Sequence, residues 1–242
     1  PPQQNLPQDA RLLLFAESLE NGDWRGARLW LDKIGAAGGF DFLIPALRQW
    51  ADVAAREAPL IGAARLQPAN GLDAIYLREQ EALVLLARKQ VEEGLRVAKA
   101  QFRPDGRGLI LRLTAAARLV SLKERAKALE LLVGEDQTIR AARGIVEAGK
   151  PLPGAVDTAN VGAALLIARI ANDLLRDNGS AAALTFARIA SFAAPGNDAI
   201  RLTLAQALSS YGRSDDALAL LDTIAPPYQD LVRDVRIGTL GR

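Results

Sequence analysis

The sequence predicts an all-α chain: an α-solenoid of antiparallel helix pairs stacked side by side. Three observations point there. Small and apolar residues recur at one fixed spacing over much of the chain, a period of about 34 residues, and repeats of that order mark stacked helical units. Half of the 242 residues are apolar, Ala and Leu dominate, and aromatics make up 5%; that balance favours smooth helical interfaces over sheets. Apolar residues also fall at helical spacing in segments of helix length, separated by short Gly, Asn and Pro breaks.

The period is clearest in two consecutive units, residues 164–197 and 198–231. Each opens on a helix with an apolar–small pair, Ile170-Ala171 then Leu204-Ala205, followed by Leu174 or Leu208. A break comes next, Asp177-Asn178-Gly179 or Tyr211-Gly212-Arg213. The second helix opens on Ala183-Leu184 or Ala217-Leu218, and Pro195 or Pro226-Pro227 closes the unit. Helices that pack closely need small side chains where their axes cross, the role of Ala171, Ala183, Ala205 and Ala217. One hairpin buries a single face, so each unit needs a neighbour to complete its core.

Taken in order, residues 1–8 are Pro- and Gln-rich and read as a disordered leader. Asp9 is expected to cap a helix over residues 10–20, with a second helix over 24–34 after Asn21-Gly22-Asp23. Leu14, Gly22, Ala27 and Leu31 keep the repeat register. Phe15 stands where a small residue belongs, which marks a variant or capping unit. Residues 42–57 carry Trp50, Ala51 and Ala54 in register, and Pro45 falls in the first turn. A short helix over 59–66 and a turn over 67–71 complete that unit.

The next pairs are residues 72–89 with 91–102, and 108–121 with 123–133. Ala82 and Ala116 lie one period apart, as do Gly94 and Ala128. The step from Ala116 to Ala171 is longer than one period by enough chain for a further helix and a loop. The excess is assigned to an added helix over 137–148 and a loop over 149–160 with Pro151 and Pro153, expected to act as a hinge. The chain therefore divides into divergent N-terminal repeats (9–135), an insertion (136–160) and C-terminal repeats (161–242). The last repeat is incomplete, because residues 228–240 form a first helix without its partner. Starting at Pro1 and stopping at Arg242, the chain reads as a piece of a longer array.

Composition restricts the chemistry. With no Cys, His or Met, thiol nucleophiles, thiolate metal sites and the commonest general base are missing. No cofactor and no metal site are expected. No apolar run reaches the roughly 18 residues of a membrane span, since Arg169 interrupts residues 161–175. Gly144 to Lys150 fits G-x-x-x-x-G-K, but Pro151 takes the hydroxyl position and the glycines lie in or at the end of a helix. Gly149 is better read as a helix terminator. Glu92-Glu93, Glu135-Asp136 and Asp215-Asp216 suit helix ends rather than a metal. Asn178-Gly179-Ser180 is an interhelix turn. Net charge is +2. Arg103, Arg107, Arg112, Arg118, Lys123, Arg125 and Lys127 form a local basic excess, but Phe102 is the lone aromatic nearby, which argues for a solvated surface and against nucleic acid.

The period and its positions resemble the tetratricopeptide repeat, from about residue 10 to the end and most sharply in the last two units. The overall texture is similar to alanine-rich repeat proteins of alphaproteobacterial cell envelopes, which implies a bacterial periplasmic or envelope location over a cytoplasmic one. The family resemblance implies a non-catalytic scaffold, with the first helices lining a concave groove for a peptide or helix of a protein partner. By register the groove residues are Tyr76, Glu79 and Leu83; Leu165, Ala168, Asn172 and Arg176; and Leu202, Gln206, Ser209 and Ser210. Asn172 matches one member of the family's clamp for C-terminal carboxylates. Ala168 stands where that clamp has Lys and Ser209-Ser210 where it has basic residues, which argues against chaperone-tail binding. Two rival readings are an adaptor that self-associates through the C-terminal helix, and a helical enzyme domain acting on glycan or peptidoglycan with carboxylates alone.

Overall fold

The computed structural model describes residues 6–57, 72–101 and 106–241. The expectations for residues 1–5, the helix over 59–66, the turn over 67–71 and Arg103 lie outside the described residues, as does the side chain of Arg107. The described residues form helices joined by turns and loops, with no strand among them: α1 (Gln8–Glu20), α2 (Trp24–Ala37), α3 (Ile44–Ala54), α4 (Leu72–Ala87), α5 (Val91–Ala100), α6 (Gly106–Ser121), α7 (Arg125–Leu131), α8 (Gln137–Glu147), α9 (Ala159–Arg176), α10 (Ser180–Ala193), α11 (Asp198–Ser210), α12 (Ser214–Leu221) and α13 (Gln229–Leu240). A 3-10 turn, Asp41–Leu43, leads into α3. The chain is an α-solenoid in which α1 pairs with α2, α4 with α5, α6 with α7, α9 with α10 and α11 with α12. Gln8, expected in the leader, opens α1, and its side-chain amide donates to Ile34 O at 3.1 Å. Among the described residues no helix is long and apolar enough to cross a membrane.

The period is written into the backbone. φ is positive at Gly22 and Arg56, at Lys89 and Lys123, and at Asn178 and Gly212, the members of each pair one period apart. At every one of these positions the helix ends the same way. Lys123 N donates to Val120 O and Glu124 N to Leu119 O, and the bonds after α4, α9 and α11 repeat this pattern. That double bond is the Schellman closure, which satisfies the last carbonyls of a helix through one left-handed residue. Gly149, with φ of 76°, ends α8 likewise, so the G-x-x-x-x-G-K match is a helix terminator. Three helices, α2, α8 and α11, start on side-chain caps: Asp23 accepts from Gly26 N at 2.9 Å, Asp136 from Ile139 N at 3.1 Å, and Asn197 from Ala199 N at 3.1 Å. Glu92-Glu93 and Asp215-Asp216 fall in the first turns of α5 and α12, where negative charge suits the helix dipole.

The crossing residues behave as their size requires. Ala27, Ala51, Ala82, Ala116, Ala128, Ala171, Ala183, Ala205 and Ala217 are all fully buried. A Cβ on Gly94 would stand 2.7 Å from Leu86 Cγ, so only glycine admits α5 at that distance from α4. Phe15 is also fully buried.

The array does not stay open. The first helices α4 and α6, the added helix α8, and then α13, α11 and α9 each touch the next, and α9 returns to α4. α9 also packs against α1 and α3, and α10 against α1. Phe40 and Phe186 meet edge-to-face across this junction at 5.3 Å. On the far side, the Gln137 amide nitrogen, turned toward α13, donates to both carboxylate oxygens of Asp230 at 2.9 and 2.5 Å. The loop expected to act as a hinge is fastened. Leu152 and Val156 are buried, Asp157 is paired with Arg118, and Asn160 donates to Ala193 O at 3.0 Å.

Candidate functional site

Closing the first helices into a ring leaves a cavity of about 420 Å³ between α4, α6, α9, α11 and α13. Nine of the eleven residues expected in the groove line it: Glu79, Leu83, Leu165, Ala168, Asn172, Arg176, Leu202, Gln206 and Ser210. They converge because successive first helices present the same register to the interior. α6 adds Leu109, Ile110, Leu111 and Thr114, and α13 adds Leu231. Ile110 and Thr114 lie one period after Tyr76 and Gln80, so the register reached them; Leu109, Leu111 and Leu231 fall off that register and join the wall only once the ring has closed.

Two expected residues serve elsewhere. Ser209 turns toward α13, where its Oγ accepts from Thr239 Oγ1 at 2.9 Å in a buried contact. It is one position round the helix from Ser210, about 100° away. Tyr76 is buried outside the cavity wall, against Phe42 at 6.0 Å, and its hydroxyl donates to Asp173 Oδ2 at 2.9 Å. Asn172, the clamp residue implied by resemblance, has its amide nitrogen committed to Thr203 Oγ1 at 3.0 Å. It ties α9 to α11.

The wall between α4 and α9 holds a charged cluster. Arg169 donates to both oxygens of Glu79, through Nε at 2.9 Å and Nη2 at 3.1 Å, and its Nη1 lies 2.5 Å from Asp173 Oδ2. Such two-pronged charge-assisted bonds fix orientation as well as charge. Burial works against the Arg169 charge, but the Glu79 hydrogen bond and the two carboxylates more than offset it and raise its pKa. Burial first, then the Asp173 hydrogen bond, pushes the Tyr76 phenol up, so it stays a neutral donor. Arg176 reaches Asp173 Oδ1 only at 3.5 Å and is half exposed at the rim. Glu79, the lone acidic residue among the described cavity lining, is thus taken by a guanidinium. Among the described residues no cluster of His, Cys, Asp or Glu has the make-up of a metal site.

This architecture has a sequence counterpart. Residues 174–236, from the end of α9 through most of α13, match the family model of the tetratricopeptide repeat. No curated protein and no solved structure matches the chain. The matched repeats supply two of the cavity's five walls, α11 and α13, and the end of a third, α9.

Four members of the basic excess, Arg112, Arg118, Arg125 and Lys127, turn out to be internal fastening. Arg118, nearly buried, donates to Leu86 O and Ala87 O at the end of α4, both at 3.2 Å, and pairs with Asp157. Arg112 donates to Leu131 O and Val133 O after α7, and Arg125 to Gly149 O after α8. Lys127 pairs with Glu124 at 2.8 Å and Glu92 at 2.9 Å. Cations suit the exposed carbonyls at helix C-termini, so Arg112, Arg118 and Arg125 act as caps, while Lys127 is an ion-pair residue and Lys123 stays exposed. The sequence offered no signal for this, since each cap joins two different helices.

Proposed function

We propose that the chain is a non-catalytic protein-interaction scaffold whose ring of first helices receives a short segment of a protein partner. Tetratricopeptide arrays are in general interaction scaffolds, and the specific support is the convergence of nine register-selected residues on one cavity. Its apolar floor of Leu83, Leu165 and Leu202 is edged by Gln206 and Ser210, whose side chains have no hydrogen-bond partner among the described residues. An apolar floor with placed polar groups suits a peptide that buries side chains and needs its backbone bonded. Affinity is expected in the micromolar range as an order of magnitude. Photo-crosslinking tests it: a benzophenone side chain at Ser210 captures a protein partner, and one at Arg188 on the outer face does not. Equal capture from both positions removes the inner-face assignment.

A second reading rests on Ile237 and Leu240, 63% and 69% exposed on α13. It makes the chain an adaptor that stacks on its own copies. Sedimentation decides it: a concentration-dependent dimer that Ile237→Glu abolishes supports the adaptor, and a monomer at all concentrations rejects it.

A further inference from the structure

The cavity has the dimensions and polarity of a small-molecule site, which goes beyond a role in gripping a partner's peptide. Sites for small organic ligands run about 300–1,000 Å³, mostly apolar with a few placed polar groups, and this one is about 420 Å³. Its charges are unequally free. Arg169 is held by Glu79 at 2.9 Å and by Asp173 at 2.5 Å, and Asp173 is further held by Tyr76 at 2.9 Å. That leaves Asp173 a distant partner for Arg176, at 3.5 Å. A basic residue ending α9 suits the helix dipole on its own. What singles out Arg176 is that it also lines the cavity, together with Gln206 and Ser210 on α11. The rim therefore offers one underused guanidinium, an amide and a hydroxyl, and the interior offers Leu83, Leu109, Leu165 and Leu202. We infer that the cavity binds an aliphatic monocarboxylate, the chain lying on the leucines and the carboxylate on Arg176 with Gln206 and Ser210.

A positively charged head would meet Arg176 unfavourably, and a neutral alcohol would leave the guanidinium without its charge-assisted bond. The direct probe is sodium decanoate, titrated calorimetrically into the isolated protein below micelle-forming concentration, with decanol and decyltrimethylammonium in parallel. Decanoate is expected to bind at a single site at least about tenfold more tightly than either. Arg176→Gln, at an exposed position, should weaken decanoate by about tenfold and leave decanol unchanged. Gln206→Trp, which fills the rim from a half-buried position, should abolish binding while circular dichroism reports an intact fold. Should that variant not fold, Ser210→Trp blocks the same rim. No binding up to millimolar decanoate overturns the inference. So does equal affinity for the cationic amphiphile, or decanoate binding that survives the folded tryptophan variant. Because no partner is present, failure here is separate from failure of the crosslinking experiment.

Discussion

The indole of Trp50 on α3 occupies the space where a side chain at Gly162 on α9 would stand. A Cβ there would come within 2.4 Å of three ring carbons, and the same indole donates through Nε1 to Gln80 Oε1 at 3.0 Å. One residue thus locks three helices, α3, α4 and α9, and the lock depends on a missing methyl group. Gly162→Ala is expected to overpack this junction and cost about 1–3 kcal/mol despite the better helix propensity of alanine. Gly144→Ala, with nothing within 4 Å of the added carbon, should stabilise α8 by about 0.4–1 kcal/mol. Denaturant melts of the two variants check both signs. A harmless Gly162→Ala would mean that α3 and α9 do not pack at this distance.

The left-handed turns predict a gain. Lys89 and Lys123 adopt φ of 64° and 68°, a conformation costing a side-chain-bearing residue about 1–2 kcal/mol that glycine is spared. Lys123→Gly is expected to raise the melting midpoint, since Lys123 is exposed and no ion pair among the described residues holds its ammonium. Ala126→Gly, on an exposed helical surface nearby, should lower it by about 1 kcal/mol. Thermal melts in which both glycines destabilise would contradict the turn geometry.

Arg118 fastens the end of α4 and the 149–158 loop at once. Arg118→Lys keeps the charge but cannot span Leu86 O, Ala87 O, Ser121 and Asp157 together. The expected loss is about 2–3 kcal/mol, as for charged hydrogen bonds. Amide exchange should accelerate in residues 149–158 more than in α11. Uniform acceleration would show that the loop is not what Arg118 holds.

Two buried phenols give the fold an alkaline limit. Burial, aided by Asp173, raises the pKa of Tyr76, and burial, aided by Asp198, raises that of Tyr228. Tyrosines in the unfolded chain ionise near about pH 10, before the folded ones release their protons. The stability both groups contribute is therefore complete below that pH and drains as pH rises from there toward the folded values. Denaturant midpoints should fall from about pH 10 upward, and less steeply in Tyr228→Phe. At neutral pH Tyr228→Phe should be neutral or stabilising, since its buried hydroxyl has no partner among the described residues. Tyr76→Phe should cost about 1.5–3 kcal/mol for its bond to Asp173. A pH profile identical in all three proteins would assign the alkaline limit elsewhere.

What could be read from sequence was whatever depends on neighbours one repeat away. The crossing alanines, the helix breaks and the inward register of Leu165, Ala168, Leu202 and Gln206 all follow from that period. What could not be read depends on residues several repeats apart. Nothing in Trp50, Gly162, Glu79 or Arg169 announces a partner until the array has curved far enough to meet itself. The error over Ser209 has a smaller cause. Adjacent serines at the end of α11 face different ways, Ser209 toward α13 and Ser210 into the cavity, and the period alone does not separate them. The arginines misled because each reaches a helix end other than its own: read singly they suggest a surface, and only the carbonyls beside them show that they are caps.

Ring closure also changes how the chain must fold. An open array can nucleate in any repeat and grow by neighbour contacts, each short in sequence. Here Tyr76 must find Asp173 across 97 residues and Arg169 must find Glu79 across 90. The entropy of closing so long a loop is lost before these contacts form, and rates fall as contacts become less local. Helices should therefore appear early and the Trp50 environment late, with circular dichroism and tryptophan fluorescence recovering on separate timescales. Unfolding should run the other way, starting at the seam between α4 and α9 and passing from there into repeats that can come apart one by one.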